Sequence, residues 1–215
     1  MLSRAALKRI ATPLLFSLVL AALSLVLFAA LADEMLEGDT RQFDSAVRLF
    51  VHAHSSAGLT ACMRFVTLFG SPLFVSIAAL AACVALWLTG RRRKALLIVM
   101  TLLGGSLLMW VLKISFQRPR PEPFFDTRVP QSYSFPSGHA LLAFCLCGAG
   151  AALFAADQER RWVRALIWTV AAVLVLAVGF SRIYLGVHYP SDVVAGYLGA
   201  LAWVLGVGIA YRKWR

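Results

Sequence analysis

Two histidines and an aspartate are the residues of this chain whose types and spacing best suit a chemical reaction. An imidazole can attack phosphorus as a nucleophile or transfer a proton near neutral pH, so His139 and His188 are candidates for both roles. Asp192 follows His188 by four residues, and a helix that begins near Tyr189 or Pro190 lets this carboxylate reach one ring nitrogen. The other nitrogen is then free to attack, while His139 can protonate a leaving oxygen.

Three cations and a serine–glycine pair indicate an anionic substrate for these histidines. Lys113, Arg120 and Arg182 suit a phosphate better than a neutral group, because a guanidinium can bind two oxygens of an oxyanion at once. Ser137 and Gly138 directly precede an apolar segment, so the free amides of a first helical turn can point at an anion there. Gly138 permits close approach of the backbone, whereas Ser137 taken alone can also be a simple helix cap.

Apolar segments must position these residues, because each polar cluster falls where such a segment ends. Of the 215 residues, 60% are hydrophobic and 14% are charged, whereas an average soluble domain has about 25% charged residues. Six stretches are near the ~17 to 25 residues that span a bilayer, namely 11–32, 72–89, 95–112, 140–156, 165–180 and 193–211. We therefore expect an all-α, polytopic membrane protein with six transmembrane helices that form a single domain over residues 1–215. The second span can be preceded by an interfacial stretch over 57–69.

Charge predicts the orientation of these spans. One side carries 13 cations and two acids, Asp157 and Glu159, whereas the other side carries eight of each. The 13 cations are Arg4, Lys8, Arg9, Arg91, Arg92, Arg93, Lys94, Arg160, Arg161, Arg164, Arg212, Lys213 and Arg215. Short cytoplasmic loops carry the excess of Lys and Arg, so we expect both termini to be cytoplasmic and the polar clusters to lie at the outer face. This topology explains the net charge of +11, and we expect no binding of nucleic acid.

The first apolar segment resembles a secretory signal, with basic residues before it and Ala30-Leu31-Ala32 at its end. A signal core has about 7 to 15 apolar residues, and this segment is longer. We expect an uncleaved helix.

An amphipathic segment lies between the first two spans. Five of its residues repeat at helical spacing, with Asp39 or Thr40 available as a cap. They are Phe43, Val47, Phe50, Val51 and His54. We expect an interfacial helix at the outer face. His52 and His54 point to different sides of such a helix, which argues against a metal site.

Glycines and cysteines of the apolar segments indicate helix packing. Small residues let helices approach closely, and we expect this role for the glycines at 104, 105, 148, 150, 196, 199, 206 and 208. Cys62, Cys83, Cys145 and Cys147 lack the spacing of a zinc or redox motif, so we expect them to be small buried hydrophobic residues.

Three stretches of the chain resemble the signature motifs of the type 2 phosphatidic acid phosphatase superfamily. They are Lys113-Ile-Ser-Phe-Gln-Arg-Pro-Arg120-Pro121, Pro136-Ser137-Gly138-His139 and Ser181-Arg182-Ile-Tyr-Leu-Gly-Val-His188-Tyr-Pro-Ser-Asp192. The match extends over about 80 residues and is complete in residue type and spacing. The integral-membrane branch of this family has six spans with the site at the outer face, and the short loops resemble those of its bacterial members. The resemblance implies a bacterial cytoplasmic membrane, with the site facing the periplasm or the exterior.

The resemblance also implies a role for each site residue. His188 attacks phosphorus and forms a phosphohistidine, Asp192 orients it, and His139 donates a proton to the departing group. The phosphoryl oxygens are held by Lys113, Arg120, Ser137, the Gly138 amide and Arg182. No metal or cofactor is implied, since three cations and oriented amides can stabilise the transition state. Arg118 falls outside the motif register, so we expect it to support the site from behind or to contact a headgroup.

The expected function is therefore removal of a terminal phosphate from a membrane lipid. Undecaprenyl diphosphate, phosphatidic acid and phosphatidylglycerol phosphate are candidate substrates. A phosphotransferase that passes the group to another lipid is the main alternative. A vanadate-dependent haloperoxidase shares the anion-binding residues but is soluble, and a lipid-binding protein without turnover does not require the histidines. Headgroup selection can reside in the loop 122–133 with Phe124, Phe125 and Arg128, although this loop can equally be an ordinary connector.

Overall fold

The computed structural model describes residues 4–125, 127 and 130–213, and most of these residues are helical. The eight helices of these residues are α1 Arg4–Glu37, α2 Thr40–Ala53, α3 Ala57–Thr67, α4 Pro72–Leu88, α5 Arg92–Phe116, α6 Gly138–Ala156, α7 Arg161–Tyr184 and α8 Pro190–Lys213. A 3-10 turn, Leu68–Gly70, joins α3 to α4. The all-α prediction is confirmed, with no strand within the described ranges.

Five helices are long and apolar enough to cross a membrane: α1, α5, α6, α7 and α8. The sixth predicted span is present as a bent pair, in which Ala57–Gly70 and Pro72–Leu88 meet at 49°. The break has a local cause, because Ser71 Oγ caps α4 by accepting from Phe74 N at 3.2 Å and Pro72 cannot continue a preceding helix. The prediction of six spans holds when this pair is counted as one.

The first and last helices lie side by side in opposite directions. Ala32 and Met35, near the end of α1, pack with Ala195 near the start of α8. Farther along, Ser24 Oγ donates to Leu198 O at 2.7 Å. The start of α1 and the end of α8 therefore lie at one end of the bundle, although the cytoplasmic location of that end stays a prediction. The structure also extends α1 to Glu37, past the predicted limit at residue 32.

Helix α6 is central, since it packs against α4, α5, α7 and α8. Leu141, Leu142 and Cys145 of α6 form one buried cluster with Ile98 and Leu102 of α5. The end of α5 meets the start of α6, where Met109 and Lys113 lie next to Gly138. At the opposite end, Asp157 after α6 pairs with Arg91 and Lys94 at 2.9 and 2.7 Å.

Two expectations about small residues require correction. Cys145 is buried as predicted, but Cys62 is exposed, and Cys83 and Cys147 are half-buried. The packing role predicted for all eight glycines also fails at Gly150, Gly206 and Gly208, because a Cβ added there would meet no described atom within 4 Å apart from its own stretch of helix. These positions face open space, which composition alone does not reveal.

Helices α2 and α3 cover the end of the bundle where the predicted site residues lie. The predicted amphipathic helix is present as α2, and its exposed side carries Phe43 and Phe50. Asp39 occupies its N-cap position, but neither predicted cap candidate supplies a side-chain cap there. Helix α3 packs on the end of α7, where Tyr184 Oη lies 2.8 Å from Thr60 Oγ1.

Candidate active site

His188 and Asp192 form a buried pair at the start of α8. The helix begins at Pro190, and His188 Nδ1 lies 3.2 Å from Asp192 Oδ2. On the other side of the ring, Nε2 lies 3.1 Å from a guanidinium nitrogen of Arg120. An ionised carboxylate can only accept and a guanidinium can only donate, so the ring proton belongs on Nδ1. The lone pair of Nε2 is therefore the one available for nucleophilic attack.

Four groups hold the Asp192 carboxylate in place. Arg118 Nη1 donates to Oδ1 at 2.7 Å, while Oδ2 accepts from Tyr189 N at 2.9 Å, from Ser134 Oγ and from His188. Asp192 is fully buried, and such a charge requires this degree of pairing. Both carboxylate oxygens are thus held by hydrogen bonds, and Oδ2 lies next to the His188 ring.

Burial is the main reason why the pKa of His188 is lowered to about 3; Asp192 opposes this shift, and the positive charges of Arg120 and Arg182 add to it. His188 is only 1% exposed, so the charged imidazolium lacks water around it. Because the pKa lies below the unfolded value of about 6.5, the ring stays neutral at neutral pH. The neutral His188 ring therefore makes its full contribution to the free energy of unfolding above pH 6.5. This contribution is lost as the pH falls towards 3.

Arg120 is held by backbone carbonyl groups of two segments, one before α6 and one before α8. Its Nε donates to Ser132 O at 2.6 Å, and its Nη1 donates to Val187 O at 2.9 Å as well as to His188. A guanidinium anchored in this way is pre-positioned beside the nucleophilic nitrogen.

Ser137 and Arg182 each carry a buried polar atom that has no partner in the described part of the chain: Ser137 Oγ and Arg182 Nε. Ser137 is at the N-cap position of α6, but its hydroxyl makes no cap hydrogen bond, so the simple cap interpretation is wrong. Arg182 is 5% exposed, and one of its terminal nitrogens donates to Thr67 Oγ1 at 2.6 Å. Unsatisfied polar atoms in a buried place are costly, which favours a ligand that pairs with both.

Lys113 and Gly138 lie at the junction of α5 and α6. Lys113 Nζ donates to Tyr133 O and, at 3.4 Å, to Ser134 O. A Cβ at Gly138 would lie 2.5 Å from Met109 Sδ, so glycine at this position lets α5 approach closely without displacing the methionine side chain. The first turn of α6 is thereby kept next to the lysine.

His139 occupies the first turn of α6, where it is half-buried. Its ring lies within the electrostatic reach of Arg182, His188, Arg120 and Lys113. Its backbone packs against Gly70, where a Cβ would lie 3.0 Å from His139 O. The structure thus brings all eight predicted residues to one end of the bundle.

The cluster also contains polar residues outside the eight predicted site residues. Arg118 was assigned two alternative roles, and the structure supports the one behind the site, because its guanidinium is buried against Asp192. Ser134 and Thr67 contribute hydrogen bonds, and Asp44 of α2 pairs with Arg118 at 2.8 Å. Only the abundance of polar residues beside the motifs could have indicated Ser134, and no sequence signal indicated Asp44.

The loop that was a candidate for headgroup selection is packed at its described start. Phe124 stacks on His52 with ring centroids 4.0 Å apart, and Phe125 stacks on Tyr184 at 5.4 Å. Arg128 lies outside the described residues. These contacts favour a structural connector for the two phenylalanines. Within the described ranges, no group of three His, Cys, Asp or Glu residues could hold a metal ion.

Parts of the chain are similar in sequence to known proteins. Residues 94–215 match the model of the PAP2 superfamily. A phosphatidylglycerophosphatase B of Bacillus subtilis is 35% identical over 120 residues, which cover 52% of this chain and 56% of that protein. An undecaprenyl-diphosphatase of Sulfolobus acidocaldarius is 35% identical over 82 residues, which cover 38% of this chain and 32% of that protein. The chain thus spans about half the length of the first relative and about a third of the length of the second.

A solved structure has the same fold. The crystal structure of a transmembrane PAP2-type phosphatidylglycerolphosphate phosphatase from Bacillus subtilis superimposes with a TM-score of 0.84 at 24% identity, covering 91% of this chain and 97% of that one. The similarity extends beyond the residues that the family model matches, and so includes the amino-terminal helices.

Proposed function

Because the chain belongs to the PAP2 superfamily, we propose that it is a membrane lipid phosphatase. Its substrates are membrane-anchored phosphomonoesters or diphosphates, such as undecaprenyl diphosphate, phosphatidic acid and phosphatidylglycerol phosphate. The observation that carries the proposal is the pair of unpartnered buried atoms, Ser137 Oγ and Arg182 Nε, in the cluster that also holds the neutral His188. A phosphoryl group satisfies both atoms and supplies the electrophile for the histidine.

The proposed reaction has two steps. In the first, His188 Nε2 forms a bond to phosphorus while the bond from phosphorus to the lipid oxygen breaks, and His139 protonates that oxygen. Asp192 accepts the Nδ1 proton in a hydrogen bond and stabilises the positive ring of the phosphohistidine. In the second step His139 takes a proton from water, the water oxygen bonds to phosphorus, and the bond to Nε2 breaks. Inorganic phosphate leaves, and His188 is neutral again.

The remaining residues of the site bind the phosphoryl oxygens. Lys113, Arg120 and Arg182 neutralise the developing charge, and the Ser137 hydroxyl and the Gly138 amide donate hydrogen bonds. These groups take the part that a metal ion plays in other phosphotransfer sites, so we propose that the reaction is independent of metals. The whole chain then acts as one membrane-embedded phosphatase domain in a bacterial inner membrane, with the site at the outer face.

The test is phosphate release by the purified protein from a panel of polyprenyl diphosphate, phosphatidic acid, phosphatidylglycerol phosphate and lipid A. We expect His188→Ala to lower the rate at least about a thousandfold, whereas EDTA leaves it unchanged. His54→Ala is the matched control, because His54 is exposed directly after α2 and its Nδ1 bonds to Phe50 O. Full activity of the His188 variant contradicts the nucleophile assignment. New phosphorylated lipids without free phosphate indicate a phosphotransferase instead.

A further inference from the structure

Helix α2 carries a fully buried carboxylate, that of Asp44. The rest of the helix is amphipathic, with exposed phenylalanines at 43 and 50, and α2 lies outside the residues that the family model matches. A buried Asp must be paired, and Asp44 has its partners beside the catalytic pair. Asp44 thus differs in both burial and surroundings from its neighbours on the helix.

Arg118 connects Asp44 to Asp192. Its Nη2 donates to Asp44 Oδ2 at 2.8 Å, and its Nη1 donates to Asp192 Oδ1 at 2.7 Å. The guanidinium is 9% exposed and lies over the ring of Tyr189, 4.1 Å from its centroid. A chain of direct contacts therefore runs from α2 through Arg118 and Asp192 to His188.

Asp44 also contacts the first turn of α8 directly. Its Oδ1 accepts from Ser191 N at 3.0 Å, and its Oδ2 accepts from Ser191 Oγ at 2.6 Å. A carboxylate at the amino end of a helix is favoured by the free amides and by the helix dipole. This contact fixes the backbone between His188 and Asp192, while the Arg118 contact fixes the Asp192 side chain.

From these contacts we propose that Asp44 is a positioning residue for the nucleophile, which acts through Arg118 and the first turn of α8. The proposal rests on the proposed phosphatase function. One guanidinium between two carboxylates leaves the group with a net negative charge, so Asp192 remains a strong acceptor for the Nδ1 proton of His188. Without Asp44, Arg118 keeps only one of its two carboxylate partners, Asp192, and the ring of the phosphohistidine loses part of its electrostatic support.

The test compares Asp44→Asn with Asp39→Asn. Asp39 is exposed at the N-cap of the same helix and makes no cap hydrogen bond, so it controls for loss of one acid from α2. We expect Asp44→Asn to lower kcat and the rate of phosphohistidine formation about tenfold to a hundredfold, the range found for carboxylates that orient metal-binding histidines. KM should change less than about twofold, because Asp44 does not contact the phosphate, and Asp39→Asn should retain wild-type values.

A second variant covers the case in which Asp44→Asn does not fold. Asp44→Glu keeps the charge but displaces the carboxylate by one methylene, so it cannot hold Arg118 and Ser191 in the same geometry. We expect kcat to fall about threefold to tenfold with KM unchanged, measured per folded molecule after size-exclusion chromatography. Wild-type kcat in either folded Asp44 variant overturns the positioning role, as does a change confined to KM. If the wild-type protein releases no phosphate from any lipid of the panel, the proposed function itself fails.

Discussion

His139 differs from His188 in how the structure holds it. His188 has partners on both ring nitrogens, whereas no hydrogen bond joins the His139 ring to another residue of the described ranges. A proton donor must be able to meet the leaving oxygen and, later, the attacking water. A ring without a fixed partner suits this double role, since neither step first requires a protein hydrogen bond to break.

This difference predicts an intermediate that accumulates in a His139 variant. We expect His139→Ala to lower lipid turnover about 10²- to 10⁴-fold. The loss should be smaller for phosphoenzyme formation from p-nitrophenyl phosphate, whose leaving group needs no protonation. Dephosphorylation still requires a base, so ³²P-phosphohistidine should build up. The measurement is label retained on the protein under alkaline conditions.

The double variant His139→Ala/His188→Ala provides the control, and it should retain no label. Label in the double variant would assign the nucleophile to another residue. No accumulation in the single variant, together with a loss that is equal for both substrates, would remove His139 from the proton-transfer role.

The sequence predicted the motif residues because their chemistry is local to three short stretches. It did not predict the contacts of Asp44 that support them, since Asp44 and Arg118 are 74 positions apart and Asp44 and Ser191 are 147 apart. For Arg118, the sequence showed the charge but not the two carboxylate partners, because these depend on how α2 lies across the bundle. The missing hydroxyl cap at Ser137 is likewise a fact of three-dimensional geometry.

At the scale of the helices, close contact between α5 and α8 depends on Gly104. A Cβ added there would lie 2.0 Å from Cζ2 of Trp203. The indole cannot turn away freely, because its Nε1 donates to Thr101 O at 2.9 Å. A side chain at position 104 must therefore separate the helices or break this hydrogen bond.

We accordingly expect Gly104→Ala to destabilise the protein by about 1 to 3 kcal/mol, as overpacking of a filled interior does. Gly206→Ala is the matched control, because it makes the same change in α8 where no described atom lies within 4 Å of the new Cβ. It should be neutral or slightly stabilising. Thermal denaturation of both variants in the same detergent measures the difference, and equal midpoints would contradict the packing argument.

Hydropathy predicted the end of a helix closely where the apolar segment ends sharply, as at Leu88 and Ala156. They did not follow where a polar stretch continues the helix, because α1 extends to Glu37 through Asp33 and Glu34. Hydropathy reports the part of a helix in lipid, whereas backbone hydrogen bonding continues past it. The 49° bend before α4 could be located from Ser71-Pro72, but its angle could not.

At the scale of the whole molecule, the two ends of the bundle differ in charge and in chemistry. The predicted site residues meet at one end, and at the other the basic turn with Arg91 and Lys94 pairs with Asp157. Short cytoplasmic loops are enriched in Lys and Arg, so the excess of positive charge at this second end predicts that the site faces outwards. Under the proposed function, this orientation decides which leaflet supplies the lipid phosphate.

Cysteine labelling in intact spheroplasts tests this orientation. In a variant without the native cysteines, of which Cys62 is exposed and would react, single cysteines replace Gln131 or Glu159. Both positions are exposed, the first between α5 and α6 near the site and the second between α6 and α7 at the opposite end. We expect a membrane-impermeant maleimide to label Gln131→Cys directly and Glu159→Cys only after permeabilisation. The reverse pattern would place the site in the cytoplasm and would require a substrate from the inner leaflet.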